Sequence, residues 1–154
     1  MAINPITSSF VSGAILTAAQ MNQLPRGILA FGASAGTLPA LSTTETTLVT
    51  ISFTIPSARS VQIVGNIPLT DNPSTTQAVA NFIYQGTTLI QRMYEATSTA
   101  LQQTNLMGNN KVVFLSAGTY TFTLRATTSA GTNRVNDSAT DLLATLYAFD
   151  VGPN

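Results

Sequence analysis

From Thr119 to Ala126 the chain alternates without a break: Tyr120, Phe122, Leu124 and Ala126 fall on one side, Thr119, Thr121, Thr123 and Arg125 on the other. Period two is the signature of a strand with one buried face, because successive side chains of a strand point to opposite faces. Val49, Ile51, Phe53 and Ile55 repeat the pattern against Leu48, Thr50, Ser52 and Thr54 before Pro56-Ser57 turns the chain. Val61 and Ile63 alternate with Gln62 and Val64 ahead of Gly65-Asn66. Short alternating segments separated by Gly, Pro, Asn and Ser clusters predict an all-β sandwich.

The same signals place the remaining elements. "AVANFIYQG" and "TLIQRMYEA" predict a hairpin turning at Gly86-Thr87, and "KVVFLSAGTYTFTLRAT" predicts two strands joined at Ser116-Ala117-Gly118. "PLTDNPSTTQ" at 68–77 and "TSAGTNRVNDSAT" at 128–140 are rich in turn formers and predict loops. "LMGNNK" at 106–111 reads as a turn, and "GASAG" at 32–36 as a linker or turn. The last strand, "DLLATLYAFDVG", is of another kind: Leu142, Ala144, Leu146 and Ala148 lie on one face, and Leu143, Tyr147, Phe149 and Val151 on the other. A strand apolar on both sides is to be covered on both sides. A two-layer sandwich covers only one, so Leu143, Tyr147, Phe149 and Val151 are candidates for a subunit interface or a seat for the N-terminal segment.

A chain of 154 residues is the size of one domain, and folding at this length buries roughly 68–70% of the surface an unfolded chain exposes. One core is expected. Only 8% of the residues are charged and the net charge is zero, against about 25% charged residues in a typical soluble domain. No basic field exists to gather nucleic acid or an anionic membrane surface. Polarity comes instead from 25 Thr, 13 Ser, 11 Asn and 8 Gln, and Thr is the β-branched polar residue that suits a strand surface. With no net charge, copies do not repel one another, so a place in a larger assembly is expected. No stretch approaches the roughly 20 apolar residues a spanning helix needs. No secretory signal is expected either, since the first positive charge is Arg26 and the apolar run from Phe10 to Leu16 is broken by Ser12-Gly13.

Residues 1–27 read as an arm ahead of a sandwich at 28–154. Thr17-Ala18-Ala19-Gln20 fits a capping box, in which the Thr17 hydroxyl accepts from the Gln20 N–H and the Gln20 side chain returns to the N–H of Thr17. Leu16 and Met21 take the staple positions, and Pro25 stops the helix. About two turns are too few to persist alone in water. The predicted arm, with Phe10, Ile15, Leu16, Thr17, Gln20, Met21 and Leu24 as its docking residues, must therefore plug the end of the sandwich or dock on a neighbouring protein.

With no His and no Cys in the sequence, neither a Ser-His-Asp triad, a Cys-His pair nor an imidazole or thiolate metal site can be assembled. Glu45 and Glu95 are the carboxylates a glycosidase pair would need, but an exposed charge at a strand edge is ordinary. Asn136, Asp137 and Asp141 offer oxygen ligands at a spacing that matches no EF-hand loop, and such residues are normal turn formers. Asn136-Asp137-Ser138 has the letters of a glycosylation acceptor without an export signal to give it meaning. "GASAG" lacks the Lys and the strand-to-helix setting of a phosphate loop. The expectation is a protein without catalysis, cofactor or metal.

"GAILTAAQMNQLPRGILAF" resembles a segment near the N-terminus of small tailed-phage structural proteins, in which Leu-Thr-Ala-Ala-x-x-Asn precedes a β-rich domain. "LSAGTYTFTLRA" and the closing "LYAFDVGPN" are similar to the last strands of those domains. The resemblance covers roughly the first thirty residues and parts of the last forty. It implies a jelly-roll-like virion protein, usually a homotrimer, serving as a capsid decoration (cement) protein or as part of a tail fibre or spike. The absence of a repetitive shaft and of a lytic domain favours decoration. The implied partners are further copies of the chain and the major capsid protein or another virion protein, with no nucleic acid and no membrane. The implied location is the capsid surface or the tail, after synthesis in the host cytoplasm. The alternative is a tail-associated adhesin that binds a host glycan or surface protein.

Overall fold

The computed structural model describes residues 24–34, 41–70, 77–97, 104–129, 134–135 and 143–153, with backbone alone at 69–70, 77–78, 95–97, 104–107 and 134–135. Their strands are β1 (Gly27–Ala33), β2 (Thr46–Ile55), β3 (Arg59–Thr70), β4 (Gln77–Gln85), β5 (Thr88–Thr97), β6 (Thr104–Leu115), β7 (Gly118–Thr128), β8 (Arg134–Val135) and β9 (Thr145–Pro153). Two antiparallel sheets result, one in the order β1-β9-β3-β6 with β8 beside β3, the other in the order β2-β7-β4-β5. The pairs are nested: β1 with β9, β2 with β7, β3 with β6, β4 with β5. Each successive pair lies in the opposite sheet, so the chain is one long hairpin wound into a sandwich. This is the connectivity of a jelly roll.

The core follows from the alternation. Val49, Ile51, Phe53 and Ile55 of β2 and Phe122, Leu124 and Ala126 of β7 pack against Val61, Ile63 and Ile67 of β3 and Ala144, Leu146 and Ala148 around β9. Phe53 and Phe122 stack with ring centroids 5.7 Å apart. Burying side chains of this size contributes about 1.5–3 kcal/mol each before ordering costs. Two glycines let the sheets close up: a Cβ on Gly32 would lie 2.8 Å from Ile51 Cγ2, and one on Gly65 would lie 2.8 Å from Leu124 Cδ1. The core also holds one polar bridge between the sheets, Asn109 Nδ2 donating to Asn81 Oδ1 with both residues buried.

The hairpin at Gly86-Thr87 and the junction at Ser116-Ala117-Gly118 fall where the sequence predicts them. Gly86 takes the positive φ of 58° that the tight turn needs. Several expectations are corrected, among them the predicted loop at 128–140, which holds the short strand β8. "LMGNNK" is not a turn but the middle of β6, because Asn109 finds Asn81 in the core and Gly108 pairs with Asn66. Gly65-Asn66 does not end β3, which continues through Ile67-Pro68 to Thr70. Pro68 falls between the last β9 partner, at Asn66, and the first β8 partner, at Leu69, a gap where a missing N–H is tolerated. "GASAG" begins inside β1, which runs to Ala33. The last strand starts at Thr145, four residues after Asp141. No helix occurs among the described residues, and the predicted helix at 17–24 lies outside them up to Gln23.

Candidate functional site

The sheet β1-β9-β3-β6 turns its second face outward, and register fixes what stands on it. Phe31 of β1 is opposite Tyr147 of β9, which is opposite Val64 of β3. Ile28 is opposite Phe149, then Gln62 and Val112 continue the row across β3 and β6. Phe114 of β6 stands beside Ser60. Phe31 packs on Tyr147 at 4.8 Å between centroids and Tyr147 stacks on Phe149 at 5.6 Å, so three rings form a continuous aromatic ridge. Ile28 is 59% exposed, Phe31 55% and Phe114 53%, with Val112 and Val151 also exposed. No carboxylate, guanidinium or ammonium stands at the described outward positions of β1 (28, 31, 33), β9 (145, 147, 149, 151), β3 (60, 62, 64, 66) and β6 (108, 110, 112, 114). Exposed apolar patches on such a scale mark interaction surfaces.

The opposite outer face is of another chemistry. Ser52 and Thr121 share a hydrogen bond of 2.8 Å, as do Thr54 and Thr119, forming a hydroxyl ladder across β2 and β7. Beyond it the Tyr84 hydroxyl donates to the Glu45 carboxylate at 2.9 Å, and Arg125 lies 3.6 Å from the same carboxylate and 4.4 Å over the Tyr84 ring. Desolvation, then the hydrogen bond to Glu45, push the Tyr84 phenol above its ordinary value. Farther toward the edge, Arg92 stacks over Phe82 and over Tyr94, and donates to the Tyr94 hydroxyl at 2.8 Å. Cross-strand pairs of this kind stabilise a sheet face, and Tyr94 remains 65% exposed.

The predicted interface residues separate as follows. Tyr147, Phe149 and Val151 stand on the apolar outer face of β9, and Leu143 lies just ahead of that strand, 38% exposed. Of the arm, Phe10, Ile15, Leu16, Thr17, Gln20 and Met21 lie outside the described residues. Leu24 lies within them, half-buried, and its carbonyl accepts from Arg59 Nη1 at 3.3 Å. Glu45 is engaged by Tyr84 and Arg125, whereas the Glu95 side chain and Asn136, Asp137 and Asp141 lie outside what is described.

Sequence reasoning missed the node that holds the arm's end. Arg59 and Asp150 are both buried and 3.5 Å apart, and Asp150 also accepts from the backbone N–H of Arg26 at 3.1 Å and of Gly152 at 2.9 Å. The first residues of β3 and the last of β9 are thereby fastened to the chain just before β1. A lone Arg in "SARS" and a lone Asp in "AFDVG" carried no signal of pairing. The apolar contributions of β1 and β6 were missed as well, because "GILAF" and "KVVFL" are continuous runs with no visible face.

No family model matches the chain, and no curated protein matches its sequence. Among solved structures it is similar to an Eiger TNF from S. frugiperda, at 8% identity over 84% of this chain and 96% of that one, with a TM-score of 0.49. It is similar to a carbohydrate-binding module from Cellvibrio mixtus lichenase 5A solved with cellotriose, at 14% identity over 79% and 97%, TM-score 0.39. A third similarity is to a structure of infectious bursal disease virus, Gt strain, at 15% identity over 97% of this chain and 43% of that one, TM-score 0.46.

Proposed function

We propose that the protein is a non-enzymatic structural component of a virion, a trimeric capsid decoration protein whose N-terminal arm attaches it to the shell. The observation that carries this reading is the uncharged apolar outer face of β1-β9-β3-β6, on a chain with so few charges overall. A surface of that kind is fit for permanent association. The jelly-roll connectivity and the phage-like segments "GAILTAAQMNQLPRGILAF" and "LSAGTYTFTLRA" agree with it. In this scheme burial of Leu16, Met21 and Leu24 contributes about 1.5–3 kcal/mol each before ordering costs, and three arms per trimer turn modest single-arm affinity into avidity.

The test is to add the full chain, with and without Leu16→Asp and Met21→Asp, to shells that lack this protein. Binding by the natural chain and none by a folded arm variant is the expected result. Undiminished binding by the variants makes the arm an end plug and removes it as the anchor. A second reading, a tail-associated adhesin, is favoured by exposed Tyr94 beside Arg92. It predicts host-surface binding that Tyr94→Ala abolishes.

A further inference from the structure

We infer that the cluster of guanidinium groups and rings on the outer face of β7, β4 and β5 binds an acidic saccharide, Arg92 receiving its carboxylate and Tyr94 the flat of the sugar ring. A host-surface role for such binding rests on the second reading above; the binding itself does not. Register builds the cluster. Arg125, Phe82 and Arg92 stand opposite one another across the three strands, and two residues along Thr127, Ala80 and Tyr94 do the same. Phe82 is on the outward side, since Asn81 and Ile83 on either side of it belong to the core, yet it is only 4% exposed. Arg92 covers it. The Arg92 guanidinium lies 5.0 Å from the Phe82 centroid and 5.6 Å from that of Tyr94, and Nη1 donates to the Tyr94 hydroxyl at 2.8 Å.

Charge selects the ligand. Glu45 answers Arg125 at 3.6 Å, whereas among the described residues no carboxylate pairs with Arg92. Its bond to Tyr94 uses Nη1, which leaves the Nε–Nη2 edge of an exposed guanidinium for a carboxylate in bidentate geometry. Arg26 and Lys111 also lack a carboxylate, but no ring holds either of them. A guanidinium already held in place loses less freedom on binding. One excess cation is too little for nucleic acid, whose affinity comes from several phosphates at once. A peptide is disfavoured because the backbone groups of a central sheet face are spent in the ladder, and strand addition needs an edge. A sugar asks for what is present: the Tyr94 ring, 65% exposed, and hydroxyls continuing along β7 at Thr123, Thr121 and Thr119.

The full chain is titrated with a galacturonic acid trimer, with the uncharged galactose trimer and with a glutamate-rich peptide, affinity being read by calorimetry and location by amide chemical shifts. Arg92→Gln and Tyr94→Ala probe the site, Lys111→Gln on the other sheet controls for charge alone, and circular dichroism with thermal unfolding certifies each fold. The expected result is saturable binding of the acidic trimer, weakening as salt is added, with shifts centred on residues 82–94 and 121–127. Either site variant, or loss of the carboxylates from the sugar, should weaken binding at least about 10-fold, and Lys111→Gln should leave it unchanged. No saturable binding, equal binding of the uncharged trimer, tighter binding of the peptide, or folded site variants that bind as the natural chain does overturns the inference. The host-surface comparison is separate. A trimer bound through Arg92 and Tyr94 by a chain that attaches to no host surface keeps the site and removes the adhesin role; attachment lost in Tyr94→Ala without affinity for the trimer keeps that role and overturns the acidic saccharide.

Discussion

The two outer faces of the sandwich are built on the same connectivity and by the same alternation, yet they are opposites. On β2 and β7 every outward position from Thr50 to Thr54 and from Thr119 to Thr123 is a hydroxyl, and Ser52 with Thr121 and Thr54 with Thr119 hydrogen-bond across the strands. On β1, β9, β3 and β6 rings and branched aliphatics stand among neutral polar groups, with Ile28, Phe31, Val112, Phe114 and Val151 exposed. An apolar face gains from removal from water, about 25 cal/mol per Å2, and that gain awaits a partner. On the proposed reading, association falls to the sheet β1-β9-β3-β6 and the hydroxyl ladder of the other stays in solvent.

The largest expected effect comes from breaking what both faces share. Arg59→Ala leaves Asp150 buried without its guanidinium partner and should destabilise the fold by about 3–5 kcal/mol, measured by chemical denaturation. It also removes the donor to the Leu24 carbonyl, so amide exchange near residues 24–28 should accelerate beyond that elsewhere in β1. Next in size is Tyr147→Ala, which breaks both ring contacts of the apolar ridge. It should cost about 1–3 kcal/mol in the oligomer, with a smaller loss in the dilute monomer. The proposed association predicts that concentration dependence for this face and none for the other.

On the polar side, Tyr84→Phe should cost no more than about 1 kcal/mol, because the hydrogen bond to Glu45 lies at a solvated surface. The Tyr84 phenol has a raised pKa in the folded state, so the stability it contributes is fully present below its unfolded value of about 10 and is lost as pH rises through the folded one. Unfolding curves of the natural chain should therefore decline at alkaline pH more steeply than those of Tyr84→Phe. Smallest of all is Thr54→Ala, expected within about 0.5 kcal/mol of the natural chain at any concentration.

The contrast was half legible in the sequence. Strands β2 and β7 were readable residue by residue, because a threonine face against an aliphatic one gives an unbroken period of two. The outer face of β9 was readable too, through Tyr147, Phe149 and Val151. Its extension to β1 was hidden by a register shift between Ile28 and Ala30 that puts Ile28 and Phe31, three positions apart, on one side. Its extension to β6 was hidden in "VVFL", where only the register shows Val112 and Phe114 outward and Leu115 inward. Gly65, Asn66, Pro68 and Asn109 disguised two strands as turns, since each is a poor strand former whose place is justified by a tertiary contact or a gap in the ladder. The arm's docking residues, apart from Leu24, lie outside the described residues.

The most direct test of the account is hydroxyl-radical footprinting of the natural full chain across a dilution series, read at individual aromatic side chains. Phe31 and Phe114 on one sheet and Tyr94 on the other have comparable exposure in a single copy, 55%, 53% and 65%. The account predicts that Phe31, Phe114 and Tyr147 become protected as concentration rises, while Tyr94 reacts at a constant rate. Reactivity at Phe31 and Phe114 that stays as high as that of Tyr94 at every concentration would contradict it.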